Sequence, residues 1–151
     1  MFRKLEDRMD SMAYSTALSQ AVSILLYIHA ISEEPCANFL STKIISEQLN
    51  IPAPTTAKVI RSLSNAKLTV TKEGAKGGIT LSRPLTEMTL LDVFLAVEPG
   101  KPLFKLHTDV VLQGKDTEVA EIQQKISKRF EAAEQAMRQS LAEVSLIDLV
   151  E

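Results

Sequence analysis

Three of the chain's five glycines, Gly74, Gly77 and Gly78, fall within five residues, and this cluster constrains the fold more than any other feature. They sit between Leu68-Thr69-Val70-Thr71 and Ile79-Thr80-Leu81, two short runs that alternate apolar and polar residues and are rich in β-branched side chains. Such runs read as strands. The glycines between them supply the positive-φ positions that a hairpin loop needs.

What precedes the hairpin gives it a meaning. Ser15 to Ile31 reads as a helix, because Leu18, Ala21, Ile24, Leu25 and Ile28 recur at helical spacing, with Ser15 as its N-cap. Pro35 disfavours the helical region for its predecessor and closes it. A shorter helix opens at Ser41 or Thr42 and buries Ile44, Ile45 and Leu49. The break Asn50-Ile51-Pro52-Ala53-Pro54 follows. Asn50 tolerates the left-handed conformation that ends a helix, and Pro54 suits the first turn of the next one. That third helix runs to about Ala66 with Val59, Ile60 and Leu63 inward.

Two helices joined by a tight proline-containing turn are ordered as a helix-turn-helix. Followed at once by a β-hairpin, they make a winged helix. The fold class expected is therefore mainly α with a small β-hairpin: a winged helix-turn-helix domain plus a long C-terminal helix. The stretch KEGAKGG then reads as a wing tip, with Lys72, Lys76, Gly77 and Gly78 against DNA backbone or in a minor groove. The bland alternative is a flexible hairpin whose lysines only solvate it.

Charge is distributed in step with this reading. Net charge is −2, but residues 41–83 hold seven Lys or Arg against two Asp or Glu. Residues 1–40 hold three against five, and residues 84–151 seven against twelve. A basic middle beside an acidic end points to a polyanion site on part of the surface. The sequence pI of about 5.8 argues against a protein that coats nucleic acid everywhere.

Several classes are set aside. One cysteine, Cys36, permits no internal disulfide and no CxxC site, so a reducing cytoplasm is the default compartment. No segment reaches the roughly 20 apolar residues of a membrane span. The apolar stretch Ala21 to Ile31 reads as a core helix rather than a signal segment, because Glu33-Glu34-Pro35 follow it. Nothing matches a P-loop, a metal-ligand cluster or a nucleophile elbow, and no enzyme is expected.

The sequence also resembles a known family. From about Met12 to Glu98 it is similar to the Rrf2 family of bacterial transcription regulators, the IscR, NsrR and CymR group. The likeness is carried by STALSQAVSILLYIHA (15–30), KIISEQLNIPAPTTAKVIRSLSNAKL (43–68) and GAKGGITLSRPLTEMTLLDVFLAVE (74–98). The family's wing glycines map to Gly74, Gly77 and Gly78, and its later motif to Thr89, Leu90, Asp92, Val93, Ala96, Val97 and Glu98. Ala57-Lys58 stand where the family often has an Arg pair, Ile79 where it has an aromatic residue, and Glu73 where it is often basic. Iron–sulfur members carry three cysteines just after Ala-Val-Glu, and the matching stretch PGKPLFKLHTDVVLQGKD has none. The chain therefore resembles the cluster-free, YwnA-like branch, with PLF…H at Pro102 to His107 and a closing Leu141 to Leu146 segment, and no cofactor is expected.

Thr89 to Val97 reads as a fourth helix, and Pro99 to Gly114 as a loop. From about Asp116 to Glu143, Val119, Ile122, Ile126, Phe130, Ala133, Met137, Leu141 and Val144 form one apolar stripe. A partner helix from a second copy is expected to bury it, which makes Val119, Ile122, Ile126, Phe130, Met137 and Leu141 dimerisation residues. The alternative is a helix folded back on its own domain. The expected organisation is an N-terminal arm over 1–11, a winged domain over 12–98, a connecting loop over 99–115, and a dimerisation helix and tail over 116–151.

The functional expectation is a homodimeric, sequence-specific repressor that binds a pseudo-palindromic operator in double-stranded DNA. Pro54, Thr55, Thr56 and Lys58 head the recognition helix, with Arg61, Lys43 and the wing lysines on phosphates. Ser15 and Thr42 add backbone contacts at helix N-termini. Cys36 and His107 are candidate sensors of an unidentified redox or small-molecule effector, against a plain structural role for each. The rival function is a winged-helix module that binds protein rather than DNA. Membrane partners are not expected.

Overall fold

The structure, a computed structural model, describes residues 15–34, 40–74, 77–98, 100 and 102–151. The expectations for the 1–11 arm, Pro35, Cys36 and Lys76 fall outside these residues. Two compact units divide at Ser82 and Arg83.

In the first unit, α1 (Ala17–Ser32) buries Ala21, Ile24, Leu25 and Ile28, the residues of its apolar stripe. Its N-cap position is Thr16, which makes no side-chain cap, while the Ser15 hydroxyl accepts from the Ala17 amide at 3.1 Å. Helix α2 (Thr42–Leu49) is capped by Ser41, whose hydroxyl accepts from the Ile44 amide. It ends on Asn50 in the left-handed region at φ 51°. Helix α3 (Ala53–Asn65) begins after Pro52, with Pro54 in its first turn. Ile45, Ile51, Val59, Ile60 and Leu63 close the angle between α2 and α3, all nearly or fully buried.

Strands β1 (Thr69–Lys72) and β2 (Gly78–Leu81) pair antiparallel in the register Thr69 with Leu81 and Lys72 with Gly78. With α2 and α3 before them, they complete the winged helix-turn-helix. The hairpin gains a third main-chain partner that the sequence did not announce. Leu40 forms a parallel bridge with Gly78, and its carbonyl accepts from the Ile79 amide at 2.8 Å.

The second unit runs from Arg83 to Glu151. It opens on a 3₁₀ turn (Leu85–Glu87) and continues into α4 (Leu90–Val97). The division places α4 here, and not with the residues up to Ser82. A capping box starts α4: the Thr89 hydroxyl accepts from the Asp92 amide at 3.2 Å, and the Asp92 carboxylate accepts from the Thr89 amide at 2.9 Å. Helix α5 (Asp116–Ala142) is 27 residues long, roughly 40 Å at 1.5 Å per residue, and packs against α4.

After α5 the chain turns back. The Leu146 amide donates to Met88 at 2.8 Å, the Leu90 amide donates to Val144 at 3.0 Å, and the Ser145 hydroxyl donates to Leu85 at 3.0 Å. A closing 3₁₀ turn (Leu146–Leu149) thus seals Leu85, Met88 and Leu146, all at most 1% exposed, into the core of this unit.

Candidate nucleic-acid interface

Helix α3 divides cleanly by burial. Thr56, Val59, Ile60 and Leu63 face the core, while Pro54, Lys58 and Arg61 are exposed and Thr55 is half-buried. Positions 54, 58 and 61 are spaced by four and three residues, so they share one helix face. That face carries two cations and no carboxylate among its three residues.

Thr56 is a correction. It is fully buried, and its hydroxyl lies 3.2 Å from both the Ile51 and the Pro52 carbonyls. Ser46 donates to the same Ile51 oxygen at 2.6 Å. The hydroxyl therefore satisfies the turn between α2 and α3, and it is not available to a base edge. Thr55, one residue earlier, keeps the exposure that Thr56 lacks.

Gly77 and Gly78 are a second correction. Both are buried, not displayed at a wing tip. A Cβ on Gly78 would lie 2.6 Å from the Leu40 nitrogen, and one on Gly77 would lie 2.2 Å from the Lys72 carbonyl oxygen. The pair is glycine because the main chain of the wing packs against neighbouring main chain there. Among the described residues, the exposed part of the wing is Val70, Thr71, Lys72, Glu73 and Gly74.

The remaining expected contacts are placed as follows. Lys43 is exposed, with its amine 4.0 Å from the Glu47 carboxylate one turn on. Thr42 is half-buried in the first turn of α2, and Ser15 is exposed just before α1. Among the described residues of the first unit, Lys43, Lys58, Arg61 and Lys72 remain as exposed cations at predicted contact positions.

The second unit holds the stripe of α5. No residue of this helix is fully buried. Val119, Phe130, Met137 and Leu141 are half-buried, while Ile122 and Ile126 are 57% and 38% exposed. Part of the stripe is covered by the chain's own connecting segment. Phe104 stacks on Phe130 with ring centroids 5.2 Å apart. Two side chains of α5 hold this segment. The Gln123 amide donates to the His107 and Thr108 carbonyls at 3.1 and 3.3 Å, and the Glu134 carboxylate accepts from the Leu103 amide at 3.4 Å. Glu134 is itself paired with Arg138 at 2.8 Å. Neither Gln123 nor Glu134 was singled out in the sequence. His107 is exposed.

No helix among the described residues is long and apolar enough to cross a membrane. The comparisons with known proteins agree with the fold. The Rrf2 family model, described as an iron-dependent transcriptional regulator, matches residues 14–151. The HTH-type transcriptional regulator YwgB of Bacillus subtilis (strain 168) is 38% identical over 87 residues, 58% of this chain and 54% of YwgB, so the match spans about half of that relative. YwnA of the same organism is 27% identical over 123 residues, 82% of this chain and 90% of YwnA. The solved structure of CymR, the global cysteine regulator of B. subtilis, superposes with a TM-score of 0.59 at 19% identity, covering 91% of this chain and 95% of CymR.

The iron in the family's description finds no fitting set of donors among the described residues. Among the described residues no three His, Cys, Asp or Glu side chains converge on one point. The segment 99–115 contains one imidazole, His107, and no thiol. Soft thiolates hold iron–sulfur clusters, and this segment has none to offer. The winged helix, the capped α4, the long α5 and a family match over residues 14–151 lead to one conclusion: the chain belongs to the Rrf2 family of transcriptional regulators.

Proposed function

We propose that this regulator is a homodimeric repressor that reads a pseudo-palindromic operator through α3 and works without an iron–sulfur cluster. The observation that carries the reading is the burial split of α3, which leaves Pro54, Thr55, Lys58 and Arg61 for a major groove. A helix of this width fits that groove, and a threonine and a lysine suit base edges. Arg61, Lys43, Lys72 and Lys76 serve phosphates, and Ser15 and Thr42 add contacts at helix starts.

The exposure of Ile122 and Ile126 on a 27-residue helix supports a second copy against α5, with Val119, Phe130, Met137 and Leu141 at its margins. A two-fold pair of α3 helices then sets half-sites about one helical turn apart.

Selection of bound duplexes from a random library by the purified chain tests this reading. An enriched inverted repeat bound by two chains supports it. Binding that follows salt alone, with no enriched sequence, rejects it.

A further inference from the structure

The connecting segment and α5 form an open groove of about 390 Å3 inside the second unit. Apolar side chains, among them Leu106, Val110, Ile122, Ile126 and Phe130, form most of its wall. Its polar groups are Lys105, His107 and Gln123, and no carboxylate lines it among the described residues. Small-molecule sites have this composition: a few hundred cubic ångströms, mostly apolar, with a small number of polar groups that orient the ligand.

Each wall has a distinct origin. One is the N-terminal half of the α5 stripe. The other is the extended segment 105–112, fixed at His107 and Thr108 by Gln123. Among the described residues that segment contains no helix or strand, and Val111 and Leu112 beside the groove are 82% and 52% exposed. A wall with no helix or strand of its own can move when the space behind it is filled.

We propose that this groove is an effector site for a small apolar molecule with an anionic head, such as a medium-chain or aromatic carboxylate. The apolar body lies against Ile122, Ile126 and Phe130, and the head meets Lys105 beside His107. The charge argument decides the ligand class. A cationic head would find a lysine and no carboxylate, whereas an anionic head gains a charge-assisted contact with the Lys105 ammonium. The groove shares the stripe proposed for the dimer contact, so occupancy there is linked to dimer geometry and through it to the spacing of the two α3 helices. This proposal rests on the regulator reading for its consequence, but not for its binding step.

The test uses the full-length chain and decanoate below its micelle concentration, followed by calorimetry without DNA. Saturable binding of one decanoate per chain is expected, at least about tenfold tighter than decyltrimethylammonium, which has the same tail and the opposite head. Lys105→Glu, at an exposed position, should weaken decanoate at least about tenfold and reverse the preference. Ile126→Trp should weaken both ligands by filling the groove. Decanoate should also change affinity for the selected duplex about fivefold or more.

Equal binding of the two heads, no response to Lys105→Glu, or non-saturating uptake overturns the site. A dimer that takes up no decanoate also overturns it, because a second copy then fills the groove. Stoichiometric binding with unchanged duplex affinity overturns the effector role. Decanoate is read without DNA, so its failure leaves duplex selection standing, and a failed selection leaves the binding result standing.

Discussion

Gly78 lies so close to the main chain of Leu40 that a Cβ on it would fall 2.6 Å from the Leu40 nitrogen and 2.7 Å from its carbonyl oxygen. The same residue has φ +102°, a conformation that side chains rarely adopt. Backbone proximity and backbone angle thus require glycine independently. The contact ties the wing to Leu40, two residues before α2, so the hairpin is anchored to the helix-turn-helix by main chain as well as by side chains.

Gly78→Ala should therefore destabilise the fold by about 2 kcal/mol or more, as a strained backbone and a clash add. Gly74 has a similar φ of +104° but open space around its Cβ position. Gly74→Ala should cost only about 1 kcal/mol. Chemical denaturation of the two variants side by side measures the difference. Equal losses would mean that the Leu40 contact does not hold the wing.

Neighbouring threonines should separate stability from binding. Thr56→Val removes a buried hydroxyl that serves the Ile51 and Pro52 carbonyls, at a cost of about 1–2 kcal/mol. Thr55→Val should leave the unfolding midpoint nearly unchanged and weaken operator binding. Denaturation curves and duplex titrations on the same samples check both. A reversed pattern would mean that α3 is rotated away from the groove.

Salt dependence should rank the lysines. Lys58→Ala should flatten the plot of log affinity against log salt by about one unit of slope, the signature of one lost phosphate neutralisation. Lys43 already has Glu47 at 4.0 Å, so Lys43→Ala should change the slope less. Titrations between low and moderate salt decide the order.

The return of the tail should hold the second unit together. Leu146 is fully buried, and its amide donates to Met88. Leu146→Ala should cost about 2–5 kcal/mol, the range for a buried leucine. Ile122→Glu lies on the exposed part of α5 and should instead leave the fold intact while weakening the dimer about thirtyfold or more, read by sedimentation. A dimer unaffected by Ile122→Glu would place the second copy elsewhere.

Much of the winged helix was legible because its signals are local. Asn50 and Pro54 bracket the turn, and the period of Val59, Ile60 and Leu63 orients α3. What escaped is non-local. Leu40 gives no sign that it will pair with Gly78, 38 positions later. Nothing in the Leu141 to Leu146 segment says that it returns to Met88. Thr55 and Thr56 are the same residue type in sequence, and only the turn geometry separates the half-buried one from the fully buried one. The glycine cluster was read correctly as a hairpin, but two of its members meet protein backbone and not an outside partner. In the long stripe the apolar period was clear, yet Phe104 covering Phe130 was not, because the covering segment has no period of its own.

The central claim is that α3 reads bases. Selection from a random duplex library at about 0.1 M salt, where non-specific phosphate binding is moderate, should be run with the native chain and with Thr55→Ala. The account predicts an inverted repeat for the native chain, and loss of preference at one position in each half-site, placed symmetrically, for the variant. An identical preferred sequence from both proteins, or none from the native chain, would contradict it.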